Sequence, residues 1–233
     1  MPLTLDPLDR IFPALCAGDF MALPEGRYMN VRVFHAFEKL RARALQAGFS
    51  LDVASAFRDF SSQSRILLAK LDGIRPVLNE REEPMETGSL TLEEKVAAIG
   101  RFSALPGLSR HHLGTDLDVF SLSLLPQGQK LQLTAAEYAE GAYFAPLNAF
   151  LEEELSAHGF YRPYDGTGAL GFEPWHISFK TEGGRLSEGF KLKAWENVIR
   201  ERFPAIAAAL IAYGRKHYRA SLGLETCNLL SQS

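Results

Sequence analysis

The feature that most constrains this chain is a pair of short segments rich in metal-binding side chains. Residues 109–118 read SRHHLGTDLD, and residues 173–176 read EPWH. Histidine and carboxylate side chains can hold zinc through three protein ligands and leave the fourth position to water, whose pKa falls to about 7. A carboxylate that is not a ligand can then accept and pass on that water's proton. The pattern therefore predicts a hydrolytic zinc site with three ligands: His111, Asp118 and His176.

The spacing inside the first segment is consistent with two ligands on one ion. A turn containing Gly114 separates His111 from Asp118 and lets the chain fold back, so that both side chains reach the same ion. Asp116 lies on the same face as Asp118 if the segment after the turn is extended. Asp116 then either orients a ligand histidine through a hydrogen bond or caps the turn. The neighbouring His112 is expected to point away, because adjacent extended residues face opposite sides.

In the second segment, a proline follows the candidate proton carrier. Pro174 favours an extended conformation at Glu173. Glu173 can then lie beside His176, while Trp175 points the other way. We therefore assign Glu173 as the general base and general acid of the site.

Together the two segments resemble the VanY-type D-alanyl-D-alanine carboxypeptidases, members of the LAS zinc metallopeptidases, which are named for lysostaphin, D-Ala-D-Ala peptidases and sonic hedgehog. The shared pattern is S-x-H-x-x-G-x-x-x-D followed by E-x-W-H, and the chain matches it without a gap. A third segment, residues 55–63 (SAFRDFSSQ), is similar to the family's S-G-Y-R-S-x-x-x-Q, with Ala56 in place of the usual glycine. The resemblance covers about residues 49–179, and three ordered segments make it more specific than one short motif.

The resemblance implies a role for each matched residue. It makes Glu173 the catalytic carboxylate and makes the three expected ligands zinc-binding. It places Arg58 at the substrate, where a guanidinium can hold a carboxylate or a developing oxyanion through paired hydrogen bonds. Gln63 either supports Arg58 or caps its own helix. Ser109 either caps the turn or bonds the substrate carboxylate.

The expected function is that of a zinc carboxypeptidase that removes a C-terminal D-amino acid, D-alanine, from a peptidoglycan stem peptide or its precursor. Whether the bond is D,D or L,D stays open, because both substrates end in a D-residue carboxylate. One alternative is an endopeptidase of the same superfamily that cuts cross-links. Another is a non-catalytic, zinc-stabilised module that binds wall peptides. Glu173 argues against the module, because a structural zinc has no use for a carboxylate that is not a ligand.

Composition sets only outer bounds. A chain of 233 residues with 46% hydrophobic content can bury one good core. We expect a single domain over residues 1–233, with its core at about 31–180 and a helical extension at 181–233. The net charge of -3 gives no reason to expect nucleic acid or an anionic membrane as a partner. No apolar stretch reaches the about 20 residues that a membrane span needs.

The first residues and the two cysteines bear on where the chain is located. Residues 1–6 lack the basic region and apolar run of a secretory signal, which favours the cytoplasm. A periplasmic or exported enzyme, from a trimmed chain or an unusual export route, is the alternative. A cytoplasmic enzyme of this kind would trim recycled wall peptides. Cys16 and Cys227 are expected to be buried free thiols, with a disulfide between the termini as the alternative.

Hydrophobic spacing predicts an α+β fold, in which a small, mostly antiparallel sheet carries the zinc site on one face and helices pack on the other. Helical spacing over residues 33–45 indicates a helix that stops at Gly48, and alternation over residues 49–57 indicates a strand. Ser61 or Ser62 would cap the next helix. The remaining predicted features are a surface loop over 79–89, capping boxes at Thr91 and Thr134, a strand over 175–179, and a tail that is helical beyond Gly183-Gly184 with a break at Pro204.

Overall fold

The computed structural model of the chain describes residues 3–166 and 171–224. Its α-helices are α1 (Leu8–Ile11), α2 (Val31–Gln46), α3 (Phe60–Leu71), α4 (Leu92–Gly100), α5 (Ala135–Tyr138), α6 (Ala145–Glu154), α7 (Lys180–Glu188), α8 (Leu192–Arg202) and α9 (Ala207–Ser221). Its strands are β1 (Phe20–Ala22), β2 (Tyr28–Asn30), β3 (Leu51–Ser55), β4 (Val77–Leu78), β5 (Pro84–Met85), β6 (Asp116–Ser121), β7 (Phe160–Tyr161) and β8 (His176–Phe179). Helices and small antiparallel sheets confirm the predicted α+β class.

A four-stranded antiparallel sheet in the order β3-β6-β8-β7 carries the candidate site. Asp118 of β6 lies directly opposite His176 of β8. On the other side of β6, Ser55 of β3 also lies opposite Asp118, after a bulge that follows Val53. Opposed residues in antiparallel strands have Cα atoms about 4.5–5.5 Å apart. The strand register therefore brings segments that are distant in sequence to one point.

Helices α2 and α6 pack in one apolar cluster with the sheet. The buried residues of α2 recur at helical spacing: Val33, Phe37, Leu40 and Ala44. Burying each large apolar side chain contributes roughly 1.5–3 kcal/mol. Asn30 caps the helix by accepting a hydrogen bond from the backbone amide of Arg32, and Gly48, at φ +91°, follows its end. The predicted helix and its stop are confirmed.

A second apolar cluster joins α1, α3, α4, α8 and α9. Trp195 of α8 is fully buried within it, and its indole N–H donates to the carbonyl of Pro106 at 2.9 Å. Gly214 of α9 lies against the same ring, since a Cβ there would come within 2.1 Å of it. The predicted break at Pro204 separates α8 from α9. The helices after residue 190 therefore pack into the interior of the protein.

The first strand of the main sheet is shorter than predicted. It covers Leu51–Ser55 instead of residues 49–57, because the chain leaves the sheet after the bulge. Arg58 consequently follows the strand by three residues, with its backbone amide donating to the carbonyl of His111 at 3.1 Å. The predicted serine cap of α3 is wrong. Asp59 caps the helix by accepting a hydrogen bond from the amide of Ser62 at 2.6 Å.

The structure confirms the two predicted capping boxes and changes the bounds of a predicted loop and a predicted strand. Both predicted capping boxes, at Thr91 and Thr134, are present. The segment predicted as a loop over residues 79–89 contains β5, which pairs with β4 in a small hairpin. The strand predicted over 175–179 begins one residue later, as β8.

The helical tail begins earlier than predicted, because α7 runs through Gly183 and Gly184. A Cβ at Gly183 would lie 3.0 Å from Nη2 of Arg110 and 3.1 Å from Oγ of Ser178. The missing side chain lets the helix pass close to a buried arginine. Gly183 therefore serves a packing contact inside the helix and does not mark where the helical tail begins.

The prediction of a buried thiol at Cys16 is wrong. Cys16 is exposed, because it precedes an exposed 3₁₀ turn at Ala17–Asp19 on the surface. Cys227 lies outside the described residues. Within the part of the chain that the structure describes, no helix has the length and apolar character needed to cross a bilayer.

Candidate active site

His111 lies in the 3₁₀ turn Arg110–Leu113, which Gly114 ends in the left-handed conformation at φ +68°. A Cβ at this glycine would also meet a phenylalanine ring at 2.4 Å, so conformation and contact both require glycine. The turn leaves Nδ1 of the buried His111 at 2.8 Å from the carbonyl of Ala56 and Nε2 at 3.2 Å from Oδ2 of Asp118. Because a carbonyl only accepts, Nδ1 carries the proton, and Nε2, which faces Asp118, keeps its lone pair for a cation bound at the site.

His176, the first residue of β8, is held between two aspartates of β6. Its Nε2 lies 3.0 Å from Oδ1 of Asp116, and its Nδ1 lies 3.1 Å from Oδ1 of Asp118. Asp116 and Asp118 thus face the same side of the extended strand, as predicted. Burial opposes protonation of His176, but the hydrogen bond to Asp116 and the adjacent Asp118 carboxylate outweigh it and raise the pKa of His176 to about 10.

The three expected ligands, His111, Asp118 and His176, form a buried group that we call the metal cluster. One donor atom from each residue lies within 4.8 Å of the others. Among the described residues, Oδ1 of Asp118 has no hydrogen-bond partner, because its contact with His176 lacks hydrogen-bond geometry. A buried polar atom without a partner is costly, and a cation would satisfy it. Two imidazole nitrogens and a carboxylate oxygen are ligands that zinc prefers, so these residues fit zinc.

Glu173 lies next to the metal cluster, where a proton carrier was predicted. Its Oε2 is 3.6 Å from Nδ1 of His176, and its backbone amide donates to the carbonyl of Tyr164 at 3.1 Å. Burial raises the pKa of the Glu173 carboxyl to about 7, while His176 opposes the rise and Asp118 adds to it. A carboxyl group with a near-neutral pKa can both accept and release a proton under physiological conditions.

Arg58 lies beside the metal cluster and is held by two side chains. Its Nη1 donates to Oε1 of Gln63 and its Nη2 to Oγ of Ser55, each at 2.9 Å, and Nη2 is 3.8 Å from Oδ2 of Asp118. Gln63 also donates to the carbonyl of Ala104 at 2.6 Å, so it supports Arg58 and does not cap its helix. About a quarter of the Arg58 side chain, 24%, stays exposed and open to a ligand.

The neighbouring histidine, His112, turns away from the metal cluster as predicted, although the two histidines lie in a 3₁₀ turn and not in extended chain. Its Nε2 accepts a hydrogen bond from the amide of Gly107 at 3.0 Å, and its Nδ1 lies 2.5 Å from the carbonyl of Arg58. Burial lowers the pKa of His112 to about 3, which keeps the ring neutral. His112 therefore holds the backbone at Arg58 and does not face the metal cluster.

Arg110 is a buried residue that the sequence reasoning missed, and it defines the Arg110 cluster: Arg110, Asp116, Ser178 and Ser187. Its guanidinium donates to Oδ1 of Asp116 at 2.7 Å, Oγ of Ser178 at 2.5 Å, Oγ of Ser187 at 3.3 Å and the carbonyl of Leu222. Asp116 in turn contacts His176, so Arg110 reaches a candidate ligand through one carboxylate. The glycine pair inside α7 is the signal that could have revealed this contact, because such glycines mark a close approach.

All seven residues predicted for the site line one cavity of about 310 Å³: Arg58, Gln63, Ser109, His111, Asp118, Glu173 and His176. Ser109 is buried, and its hydroxyl does not cap the turn that follows it. The structure therefore brings together the seven residues that the sequence assigned to the site. Their roles in binding and catalysis stay predictions.

Comparison with known proteins identifies the family. Residues 26–182 match the VanY family, described as D-alanyl-D-alanine carboxypeptidase. The chain belongs to the VanY family. The resemblance carried by the three sequence segments is confirmed, and the match places the chain among peptidases of the VanY type.

Solved structures and a curated relative are similar to parts of the chain. A mutant of the vancomycin-resistance D,D-pentapeptidase VanY from a VanB-type cassette, in complex with Zn(II), is 20% identical, with a TM-score of 0.52 over 73% of this chain and 84% of its own. VanYB in complex with D-alanine-D-alanine is 20% identical, with a TM-score of 0.54 over 80% of this chain and 92% of its own. An uncharacterized protein of Haemophilus influenzae is 47% identical over 39% of this chain and 76% of its own length. The two structures show a shared fold.

Proposed function

We propose that this protein is a zinc-dependent carboxypeptidase that removes a C-terminal D-amino acid, D-alanine, from peptidoglycan stem peptides or their precursors. The observation that carries the proposal is the position of Glu173, 3.6 Å from His176 and next to three donor atoms that fit one zinc ion. A structural zinc site has no use for such a carboxylate, which argues against a non-catalytic binding module. The family match and the D-alanine-D-alanine bound by VanYB support the substrate class.

The residues around the metal cluster divide the chemistry among them. Zinc held by His111, Asp118 and His176 would supply a Lewis acid and lower the pKa of water to about 7. Glu173 accepts the proton of the attacking water on a carboxylate oxygen and then delivers it to the leaving amine. Its pKa of about 7 suits both transfers.

Arg58 recognises the end of the substrate chain. Gln63 and Ser55 hold its guanidinium at the cavity that Glu173 also lines. A guanidinium binds a carboxylate through two parallel hydrogen bonds, and Ser109 can add a hydroxyl donor from the same cavity wall. An endopeptidase has no terminal carboxylate to bind and would use Arg58 only at the developing oxyanion, so binding of the terminal carboxylate by Arg58 distinguishes the carboxypeptidase from the endopeptidase.

Amidated substrates test this role of Arg58. A peptide with an amidated C-terminus should be cut roughly 10–100-fold more slowly than the free acid, as expected when hydrogen bonds to a charged group are lost. Arg58→Lys should impair cleavage of the free acid to a similar extent, because a point charge cannot reproduce the paired hydrogen bonds. If amidated and cross-linked peptides are cut as fast as free acids, the endopeptidase alternative replaces the carboxypeptidase.

Defined muropeptides test the bond that is cut. The zinc-loaded protein is incubated with pentapeptide, tetrapeptide and cross-linked muropeptides, and the products are identified by mass. Loss of one D-alanine from the pentapeptide indicates D,D cleavage, and loss from the tetrapeptide indicates L,D cleavage. Binding of all three substrates without any product would contradict the enzymatic proposal and favour the binding module.

A further inference from the structure

The cavity extends beyond the metal cluster along α3. Gln63 and Lys70 both line it, and a seven-residue spacing puts them on one face of the helix. At a rise of 1.5 Å per residue, Lys70 lies roughly 10 Å along the helix from Gln63, the residue that holds Arg58. Arg75 and Arg101 line the same cavity. We call Lys70, Arg75 and Arg101 the cationic wall.

Lys70 and Arg75 are held near one another at the end of α3. The Nζ of Lys70 donates to Oγ of Ser103 at 2.7 Å in a partly buried position. Gly73, at φ +71°, turns the chain back, so that the amide of Arg75 donates to the carbonyl of Ala69 at 2.8 Å. Burial lowers the pKa of Lys70 and the charge of Arg75 lowers it further, while the Glu173 carboxylate acts in the opposite direction. An anion bound between the two cations would offset this repulsion.

Neither cation forms an ion pair of its own in the described residues, although the Glu173 carboxylate acts on Lys70 over a longer distance. Within residues 3–166 and 171–224, no carboxylate lies within 4.0 Å of the charged nitrogens of Lys70 or Arg75, whereas Arg101 pairs with Glu80 at 2.7 Å. The carboxylates that line the cavity are Asp118 and Glu173, which belong to the reaction centre. The cavity therefore has cations left over for an anionic ligand.

We propose that Lys70 and Arg75 form a subsite for a second carboxylate of the substrate. The inference rests on the proposed carboxypeptidase function, in which Arg58 holds the terminal carboxylate. The distance to be spanned is the roughly 10 Å along α3 between Gln63 and Lys70. An extended peptide advances about 3.3–3.6 Å per residue, so two residues span about 7 Å, and the side chain of the third residue spans the rest. The substrate is thus a peptide whose third residue from the C-terminus carries a carboxylate on its side chain.

Two matched peptides test the subsite. Both end in D-alanyl-D-alanine and differ only in the third residue from the C-terminus, which is glutamate in one and glutamine in the other. The zinc-loaded protein should cut the glutamate peptide with a kcat/KM about 10–100-fold higher, mainly through KM, as hydrogen bonds to a charged group predict. Lys70→Gln and Arg75→Gln should each remove most of this preference. Arg65→Gln, which removes an exposed cation from α3 outside the cavity, should keep it.

Equilibrium binding separates failure of the subsite from failure of the proposed function. The two peptides are titrated into zinc-loaded Glu173→Gln, which should bind them without turnover. Tighter binding of the glutamate peptide, with neither peptide cut by the unmodified protein, would support the subsite and contradict D,D cleavage. Equal affinity for the two peptides, or a preference that survives Lys70→Gln and Arg75→Gln, would overturn the subsite. Arg75 is exposed, so its variant keeps the test decisive if Lys70→Gln fails to fold.

Discussion

The Arg110 cluster and the metal cluster meet at the contact between Asp116 and His176, and they differ in how completely their buried polar atoms are hydrogen-bonded. In the Arg110 cluster, one guanidinium donates to four acceptors, and its charge outweighs the effect of burial to hold the pKa of Asp116 well below its usual range. In the metal cluster, burial likewise opposes ionisation of Asp118, and the two histidines outweigh it. Yet Oδ1 of Asp118 has no hydrogen-bond partner in the described part of the chain.

The difference shows that buried charges can serve either to fix the geometry of the fold or to bind a cation. A satisfied buried ion pair holds its members in one geometry, because breaking it would leave an uncompensated charge. A cluster that is complete except for one oxygen is ready to take up a cation. Asp116 joins the two, since it accepts from Arg110 at 2.7 Å and contacts His176 at 3.0 Å. The Arg110 cluster thereby orients His176, a candidate ligand in the metal cluster.

Removing the centre of the Arg110 cluster should have the largest effect on stability. Arg110→Leu leaves Asp116 buried without its main partner, and breaking a buried pair in this way costs about 3–5 kcal/mol. The matched control, Arg65→Leu, removes an exposed arginine and should change the free energy of unfolding by about 0.5 kcal/mol or less. Urea denaturation of both variants measures the difference. If Arg110→Leu lowers the free energy of unfolding by less than about 1 kcal/mol, the comparison fails, because the Arg110 cluster would then contribute little to stability.

Removing the charge that links the two clusters should weaken zinc binding. In Asp116→Asn the side chain keeps its shape but loses its charge, so it holds His176 less firmly. Loss of a carboxylate that orients a ligand histidine typically lowers metal affinity about 10–100-fold, and we expect a loss of zinc affinity of this size. Competition with a metal chelator measures it. Ser187→Ala removes the weakest side-chain hydrogen bond of Arg110, at 3.3 Å, and should leave zinc affinity unchanged. Equal zinc affinity in Asp116→Asn and the unmodified protein would show that the two clusters are independent.

An ion pair at the protein surface, in which a buried glutamate meets half-exposed arginines, should show the smallest effect on stability. The hydrogen bond from Arg215 of α9 lowers the pKa of Glu196 of α8 to about 2, but both arginines that contact this glutamate are about half exposed. Because the folded-state pKa is below the unfolded one, the stabilisation is complete above about pH 5 and is lost as the pH falls towards 2.

Glu196→Gln should therefore lower the melting temperature by only a few degrees at pH 7, because solvent screens the charges of its half-exposed arginine partners. The gap to the unmodified protein should narrow between about pH 4.5 and 2, as the pKa of Glu196 requires. Thermal scans at several pH values measure it. A gap that widens in acid would contradict the assigned direction of the pKa shift.

The parts of the site that could be predicted from the sequence are those set by short-range spacing. His111, Gly114 and Asp118 lie within one turn and one strand, so their chemistry and spacing indicate one site. The same holds for Glu173 and His176, which flank a proline. The helix ending near Gly48 follows equally local rules.

What could not be predicted depends on contacts distant in sequence. The pairing of β6 with β8, which puts His176 opposite Asp118, is a register that no local pattern specifies. The role of Arg110 depends on α7 and the end of α9, which reach it only in the folded chain. Asp59 caps α3 in place of the predicted serines. Several adjacent residues have side chains that can act as a helix cap, and the sequence alone does not specify which of them does.

The most direct test of the central claim measures zinc content and turnover in one preparation of Glu173→Gln. Since Glu173 lies beside the metal cluster without being one of its ligands, we predict one zinc per chain, an unchanged melting temperature, and release of D-alanine slowed by several orders of magnitude. His176→Ala, analysed in parallel, should lose zinc first. Near-normal turnover by zinc-loaded Glu173→Gln would contradict the account, because the proton carrier would then be another group.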